Sequence, residues 1–352
     1  MINRRAFGKA LGAGVAGTAA ATQARLFDAS AAAATTAGHS VGSASAVGRT
    51  EGRTSFDSVK QVKAGELDIG YAESGPAHGP VVILLHGWPY DIHSYVDVAP
   101  LLAAEGYRVI VPYLRGYGST RFLSAKTFRD GEQVATGLDL IALMDALKIQ
   151  KALLGGFDWG ARTADVVAAL WPGRCKALVS VSGDLIVNQK QQQQPTPPAA
   201  ERAFWYQYYF TTARGERGLT KYRHDLAKLI WHDASPTWHF DDATFDRTAA
   251  AFDNPDYVRI VIHNYRWRLG LAKGNPRYAG VQAKLAAEPA IAVPTVTLDG
   301  ALDPFVPPGN GSAYRKKFTG PYIHRRLEGI GHNLPQEAPQ PFAQAVMDAD
   351  RL

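Results

Sequence analysis

The pentapeptide GFDWG at residues 156–160 is the segment of this chain best suited to chemistry. It has the form Gly-x-nucleophile-x-Gly, typical of a sharp strand-to-helix turn that holds its central side chain above a parallel sheet. The glycines suit this turn because it brings backbones too close together for a Cβ atom. The central residue, Asp158, suits displacement at a saturated carbon, where a carboxylate forms an alkyl ester that water can cleave. The sequence therefore favours epoxide opening or dehalogenation over ester cleavage.

Two segments nearer the C-terminus could activate water against such an ester. His332 follows the last predicted strand in a glycine-containing loop and is a candidate base. Asp303 lies beyond the end of another predicted strand and is the preferred partner for the imidazole N–H, with Asp299 as the fallback and Asp184 as a weaker alternative. The preferred residues follow the order nucleophile, acid, histidine, which this type of site requires.

Backbone N–H groups could stabilise the oxyanion that forms when water attacks the ester. The segment HGWP at residues 86–89 follows an early apolar run, and Pro89 has no N–H, so Trp88 is the natural donor. Trp159, directly after the nucleophile, is the second predicted donor. We expect the two N–H groups to converge on the carbonyl oxygen of the Asp158 ester.

The elements that must position these residues alternate between strands and helices. Continuous apolar runs predict buried parallel strands, and apolar residues at helical spacing predict helices between them. The alternation indicates an α/β fold with a mostly parallel, doubly wound sheet. Strands are predicted at residues 81–85, 107–111, 152–154, 176–182, 293–298 and 322–327, and helices at 133–147, 163–170 and from about 336.

Residues 185–285 interrupt this alternation. They begin with a Gln/Pro-rich stretch at 189–198, which predicts a linker, and continue with many aromatic residues at helical spacing. We expect a helical cap inserted between two strands of a core formed by residues 56–184 and 286–352. Such a cap would lie over the carboxyl ends of the strands, where open α/β sheets bind ligands. Taken singly, most of its aromatic residues are expected to form the core of the cap itself.

The first 34 residues have the features of an export signal. Arg4 and Arg5 resemble the twin-arginine pattern, an Ala/Gly-rich apolar stretch follows, and Ala29-Ser30-Ala31 offers a small-residue cleavage site. The alternative is a disordered, alanine-rich tail that merely contains two arginines. Residues 35–55 then predict a disordered spacer. The expected location is the periplasm or the exterior of the cell.

Composition narrows the range of partners. The formal net charge of +6 comes partly from the N-terminal segment, and no basic run is longer than the three residues Arg315-Lys316-Lys317. Nucleic acid and anionic membranes are therefore poor candidates, and the N-terminal apolar stretch is too short for a stable membrane span. The single cysteine, Cys175, excludes an intramolecular disulfide framework and a cysteine-rich metal site, and we expect a buried, inert thiol.

From about residue 56 onward, the chain resembles the α/β-hydrolase superfamily and, within it, the epoxide hydrolase branch. The motifs that carry the resemblance are HGWP at 86–89, LRGYG at 114–118, the Asp158 turn, the Asp303 loop and GIGHNLPQEAP at 329–339. The resemblance implies an α/β-hydrolase fold with a helical cap, no metal or other cofactor, and a small hydrophobic substrate that reacts with water. Oligomeric state is not indicated.

Three positions depart from the common pattern of that family. Phe157 stands where histidine is common, Ala161 where glycine is common, and Tyr113 where aspartate often precedes Leu-Arg-Gly. None of them removes a catalytic group. They bear on substrate preference and on hydrogen bonding within the loops.

The resemblance also implies two cap tyrosines that hydrogen-bond the epoxide oxygen. Tyr206 and Tyr265 stand at the matching places, although Tyr208 and Tyr209 are close neighbours of the first. A phenol with a pKa of about 10 can donate to a developing alkoxide without ionising at neutral pH. We expect the two tyrosines to line the substrate site together with Trp88 and Trp159.

Two other functions remain open on the sequence alone. A haloalkane or haloacid dehalogenase would use the same Asp158, Asp303 and His332, with the indole of Trp159 and another tryptophan binding the halide. A haloacid would also need a cation for its carboxylate, and Arg115 is a candidate, but an arginine in this loop is as readily structural. The third possibility is a non-catalytic protein of this fold that binds a small ligand.

Overall fold

The computed structural model describes residues 55–183, 185–306 and 309–352. The predicted signal at 1–34, all but the last residue of the predicted spacer at 35–55, and Asp184 lie outside the described residues. Within them, no helix is long and apolar enough to cross a membrane.

Apolar segments of five to eight residues build most of one nine-stranded sheet. Its order is β1-β2-β4-β3-β6-β7-β8-β9, with β5 beside β2. The strands are β1 (Val59–Ala64), β2 (Leu67–Ser74), β3 (Val81–Leu85), β4 (Arg108–Pro112), β5 (Arg121–Phe122), β6 (Ala152–Gly156), β7 (Cys175–Val181), β8 (Thr295–Gly300) and β9 (Tyr322–Leu327).

The six neighbouring strands β4, β3, β6, β7, β8 and β9 pair parallel to one another. Strand β2 pairs antiparallel with β1, β4 and β5. All six strands predicted individually are present, with ends within two residues of the expected ones; β1, β2 and β5 had no individual prediction. The central strand β6 is buried along its whole length, as expected for a parallel strand covered on both faces. The predicted fold class is therefore confirmed.

Helices connect these strands and cover the sheet. They are α1 (Val98–Ala104), α2 (Gln133–Ala146), α3 (Trp159–Leu170), α4 (Gln189–Gln192), α5 (Pro198–Ala203), α6 (Trp205–Thr211), α7 (Ala213–Ala234), α8 (Asp242–Ala249), α9 (Tyr257–Arg268), α10 (Ala279–Ala286), α11 (Ser312–Arg315), α12 (Leu334–Glu337) and α13 (Pro339–Arg351). Short 3₁₀ turns cover Ile92–Tyr95, Pro172–Arg174, Ala250–Asp253 and Pro276–Tyr278.

Two pairs of helices pack separately against the sheet. Helices α2 and α3 contact each other, as do α1 and α13, and both α3 and α13 contact the central strands β6 and β7. This is the doubly wound arrangement that the sequence predicts. Cys175 is buried at the start of β7, and burial raises its pKa to about 12, so the expected inert thiol is found.

The segment between β7 and β8 is helical, from α4 to α10. Its division from the core at residues 185 and 285 stays a prediction. The Gln/Pro-rich stretch at 189–198 is not only a linker, because it contains α4 and the first residue of α5. Asn188 caps α4 by accepting hydrogen bonds from the N–H groups of Lys190 and Gln191, which explains why a helix begins there.

Close packing between α3 and β3 provides a test of the fold. A Cβ atom at Gly160 would collide with the carbonyl oxygen of Leu85. We expect Gly160→Ala to lower the free energy of unfolding by about 3 kcal/mol, because a backbone atom cannot move aside as a flexible side chain can. Gly173→Ala is the matched control, since a Cβ there meets nothing within 4 Å, and it should change stability by less than about 0.5 kcal/mol. Urea unfolding of both variants tests this, and equal stabilities would contradict it.

Candidate active site

The predicted turn between β6 and α3 holds Asp158 in a strained backbone conformation. Its φ of 51° and ψ of −122° lie in a region that residues other than glycine rarely adopt. A Cβ at Gly156 would collide with the backbone of Gly160, and one at Gly160 with the end of β3. The turn therefore needs both glycines, and it leaves the Asp158 side chain 19% exposed at the end of the sheet.

Two groups hold the Asp158 carboxylate. The backbone N–H of Trp88 donates a hydrogen bond of 2.7 Å to Oδ1, and Nε2 of His332 lies 3.7 Å from Oδ2. Trp159 is the first residue of α3, so its N–H is one of those that a helix leaves without an internal partner. The predicted nucleophile, base and first oxyanion donor thus meet at one carboxylate.

Asp303 contacts the other nitrogen of the His332 ring. His332 Nδ1 lies 2.7 Å from Asp303 Oδ2, and the backbone N–H of Phe305 donates to the other carboxylate oxygen at 2.8 Å. The fallback residue Asp299 instead accepts a hydrogen bond from the hydroxyl of Tyr314 at 2.8 Å. The structure therefore pairs the preferred acid with the histidine, and the weaker candidate, Asp184, lies outside the described residues.

The charges of Asp303, His332 and Asp158, which form a row of side chains, shift the pKa values of His332 and Asp158. Burial lowers the pKa of His332, but the carboxylates of Asp303 and Asp158 outweigh burial and raise it to about 10. Burial raises the pKa of Asp158, but the hydrogen bond and charge of His332, followed by the charge of Arg162, bring it below its usual value. At neutral pH the site therefore holds an anionic Asp158 beside a cationic His332.

Tyr206 on α6 and Tyr265 on α9 meet around the indole of Trp88. The ring centres of Tyr206 and Tyr265 lie 5.0 and 5.3 Å from that of Trp88 and 5.6 Å from each other. Both tyrosines are buried, whereas Tyr208 is 46% exposed. Tyr209 packs against Trp205 instead. Of the three tyrosines near the start of α6, the predicted one therefore faces the site.

Both buried tyrosines are neutral hydrogen-bond donors at physiological pH. Burial and the nearby carboxylate of Asp158 raise the pKa of Tyr206. Burial, the neighbouring Tyr206 and Asp158 also raise the pKa of Tyr265. Each hydroxyl can therefore donate to an oxygen atom that gains negative charge near Asp158.

The loop that carries His332 is held by residues that sequence analysis missed. The Ser235 hydroxyl, after α7, accepts a hydrogen bond from the N–H of His332 at 3.2 Å and donates one to Glu337 at 2.6 Å. Glu337 also accepts from the N–H of Gly331 at 2.8 Å. Because Ser235 and Glu337 are about a hundred residues apart in the chain, no local pattern could link them.

The structure also distinguishes between the two arginines near the site, Arg115 and Arg162. Arg115, suggested as a cation for a haloacid carboxylate, is buried and binds both oxygens of Asp139 at 2.6 and 2.7 Å. That suggestion is wrong, because the guanidinium is already neutralised by a structural partner. The buried arginine near Asp158 is Arg162, whose only sequence signal is its place four residues after the nucleophile on α3.

No cluster of three or more His, Cys, Asp or Glu side chains among the described residues could bind a metal ion. The chemistry that these residues offer is nucleophilic attack by a carboxylate, proton donation by two phenols and activation of water by a histidine.

Comparison with known proteins relates this geometry to a family. Residues 80–339 match the alpha/beta hydrolase fold family. A solved structure from Klebsiella pneumoniae, provisionally named an epoxide hydrolase, is 61% identical and superimposes with a TM-score of 0.83, over 84% of this chain and 98% of that one.

Two curated relatives come from Mycobacterium tuberculosis. Epoxide hydrolase A is 26% identical over 78% of this chain and 92% of its own length. Epoxide hydrolase B is 39% identical over 113 residues, which are 32% of this chain and only 31% of that protein. The match to the family covers most of the described residues, from the first parallel strand to the start of α13. The chain belongs to the alpha/beta hydrolase fold family.

Proposed function

We propose that this protein is an epoxide hydrolase, which converts an epoxide to a diol through an ester of Asp158. The observation that carries the proposal is the position of Asp158 between His332 on one side and the paired tyrosines around Trp88 on the other. The names of its relatives support the same activity. A protein that only bound ligands would have no use for a nucleophile, a base and an orienting acid in contact.

In the first step, the carboxylate of Asp158 attacks one ring carbon, and the C–O bond of the epoxide breaks. The carboxylate is ionised because His332 holds its pKa low. Tyr206 and Tyr265 both donate hydrogen bonds to the departing oxygen, and one of them transfers its proton to it, since a free alkoxide would be too basic a leaving group. The product is a hydroxyalkyl ester of Asp158, and the tyrosine regains its proton from solvent.

In the second step, His332 activates water that attacks the ester carbonyl. Ester formation removes the charge of Asp158, which is one of the two carboxylates that raise the pKa of His332. The imidazolium therefore loses its proton more readily at this stage, and the neutral imidazole, still held by Asp303, can accept a proton from water. The N–H groups of Trp88 and Trp159 stabilise the oxyanion. Its collapse breaks the bond between the carbonyl carbon and the alkoxy oxygen, and the imidazolium returns its proton to that oxygen, so that the diol leaves and the Asp158 carboxylate is restored.

A dehalogenase is the second candidate. The indole N–H of Trp159 is buried and has no hydrogen-bond partner among the described residues, as a halide-binding group would require. The same Asp158 would displace the halide, and the same His332 would hydrolyse the ester. A fluoroacetate dehalogenase from Burkholderia is 33% identical over 42% of this chain and 47% of that protein.

The variant His332→Gln tests the chemistry directly. Without its base, the enzyme should stop at the Asp158 ester, so intact-protein mass spectrometry after incubation with a panel of epoxides should show an adduct of the whole epoxide mass. Incubation with haloalkanes and haloacids distinguishes the second candidate, whose adduct lacks the halide. The double variant with Asp158→Asn is the control and should show no adduct. An adduct that persists in the double variant would exclude Asp158 as the nucleophile.

Replacing the tyrosines separates the two candidate enzymes. We expect Tyr206→Phe and Tyr265→Phe each to lower kcat/KM for an epoxide by about 10- to 100-fold, and the double variant by more, because the leaving oxygen loses its proton donors. Tyr208→Phe is the matched control and should leave kcat/KM unchanged. If the double Phe variant turned over epoxides as fast as the parent, the proposed ring-opening step would be wrong.

We also infer that residues 1–34 act as a twin-arginine export signal. The order Arg4-Arg5, apolar stretch and Ala29-Ser30-Ala31 supports it. The conservative pair Arg4→Lys and Arg5→Lys should retain the protein in the cytoplasm, while Lys9→Arg should not. Cell fractionation and immunoblotting measure this, and unchanged export of the double Lys variant would contradict the inference.

A further inference from the structure

Arg162 is a buried cation that the proposed mechanism does not use. It lies on α3, four residues after Asp158, and is only 6% exposed. Its Nε donates a hydrogen bond of 3.0 Å to the carbonyl oxygen of Leu185, which is the only hydrogen bond of its side chain within the described residues. None of the carboxylates in these residues lies within ion-pairing distance of it. Because a buried charge is costly without a partner, a cation that no described residue pairs with is suited to binding an anion.

A second arginine lies near the first. Arg268, the last residue of α9, places its guanidinium carbon 5.8 Å from the ring centre of Tyr265. Its Nη2 donates to Gln192 at 3.1 Å, but its Nε is buried without a hydrogen-bond partner. Arg268 likewise has no ion pair with the described residues. Burial, followed by the charge of Arg268, lowers the pKa of Arg162 to about 10, so the two cations are close enough to repel each other.

The nearby carboxylates are already engaged. Asp158 attracts Arg162 but is held by the N–H of Trp88 and by His332. Asp165, one turn further along α3, also attracts Arg162, and it accepts a hydrogen bond from the N–H of Leu185 at 2.9 Å. Arg162, one turn after Asp158 on α3, and Arg268, beside Tyr265, therefore retain hydrogen-bond donors that no described residue uses. A guanidinium matches the geometry of a carboxylate.

We propose that Arg162, assisted by Arg268, binds a carboxylate of the substrate, so that the preferred substrates are epoxides with an acid group close to the ring. This inference rests on the proposed epoxide hydrolase activity and names its substrate class. It replaces the small hydrophobic substrate expected from the sequence. The aromatic residues around Trp88 would contact the apolar part of such a molecule, while the arginines fix its acid group and thereby the ring carbon that Asp158 attacks.

A matched pair of epoxides tests the proposal. The probes are trans-3-phenylglycidate, which carries a carboxylate on the ring, and its neutral primary amide. We expect Arg162→Gln to lower kcat/KM for the acid by about 10- to 100-fold, as loss of a charged hydrogen bond should, and to change kcat/KM for the amide less than about threefold. Arg162→Lys keeps the charge and should restore part of the preference for the acid.

Arg174→Gln is the control for loss of a cation elsewhere. Arg174 also donates from Nε to a backbone carbonyl, that of Gln150 at 2.9 Å, but it pairs with Asp145 away from the site. It should leave the ratio of acid to amide unchanged. If Arg162→Gln lowers kcat/KM for the acid and for the amide equally, Arg162 only supports the backbone at Leu185, and the proposal is overturned.

A binding measurement separates failure of this proposal from failure of the proposed function. Calorimetric titration of Asp158→Asn with the same acid and amide needs no turnover. If neither epoxide is hydrolysed by the parent enzyme, yet Asp158→Asn binds the acid more tightly than the amide and added Arg162→Gln abolishes that difference, the activity is wrong and the carboxylate site stands. If both epoxides are hydrolysed and bound alike, the activity stands and the carboxylate site does not.

Discussion

The strained backbone of Asp158 is the constraint on which the rest of the site depends. A positive φ at a residue other than glycine costs on the order of 1–3 kcal/mol, and the buried strand β6 and the close approach of α3 to β3 maintain it. Because the turn is fixed from both sides, the carboxylate has one position above the sheet. Every other group in the site is useful only in relation to that position.

Charge alternation is the second organising principle. Asp303, His332 and Asp158 form a row in which the two carboxylates raise the pKa of the imidazole between them, and His332 in turn lowers the pKa of Asp158. In the proposed mechanism, this row allows His332 to serve two stages, since it supports the anionic Asp158 first and becomes a base once esterification removes that anion. Arg162 adds a second cation that lowers the pKa of Asp158. In the proposed substrate complex, a substrate carboxylate would balance the charge of Arg162.

The helices between β7 and β8 combine packing with chemistry. Most of their aromatic residues contact one another, as in the cluster of Trp231, Trp238, Phe240 and Phe245. Three rings of this segment, those of Tyr206, Phe210 and Tyr265, pack against Trp88, and of these three the two tyrosines carry a hydroxyl group. The same segment contacts the histidine loop through Ser235. In the proposed mechanism it therefore supplies the proton donors and also holds the base in place.

The sequence by itself determined the order of the parallel strands along the chain, the Asp158 turn and the candidates for base and acid, because strand burial and turn glycines leave local patterns. It could not decide which arginine has no ion-pair partner among the described residues. Arg115 and Arg162 both stand in motifs near the site, yet Asp139 neutralises only Arg115. It likewise could not decide between Tyr206 and the neighbouring tyrosines, or between Asp303 and Asp299. Burial and pairing are set by residues distant in sequence, so only the tertiary structure decided those choices.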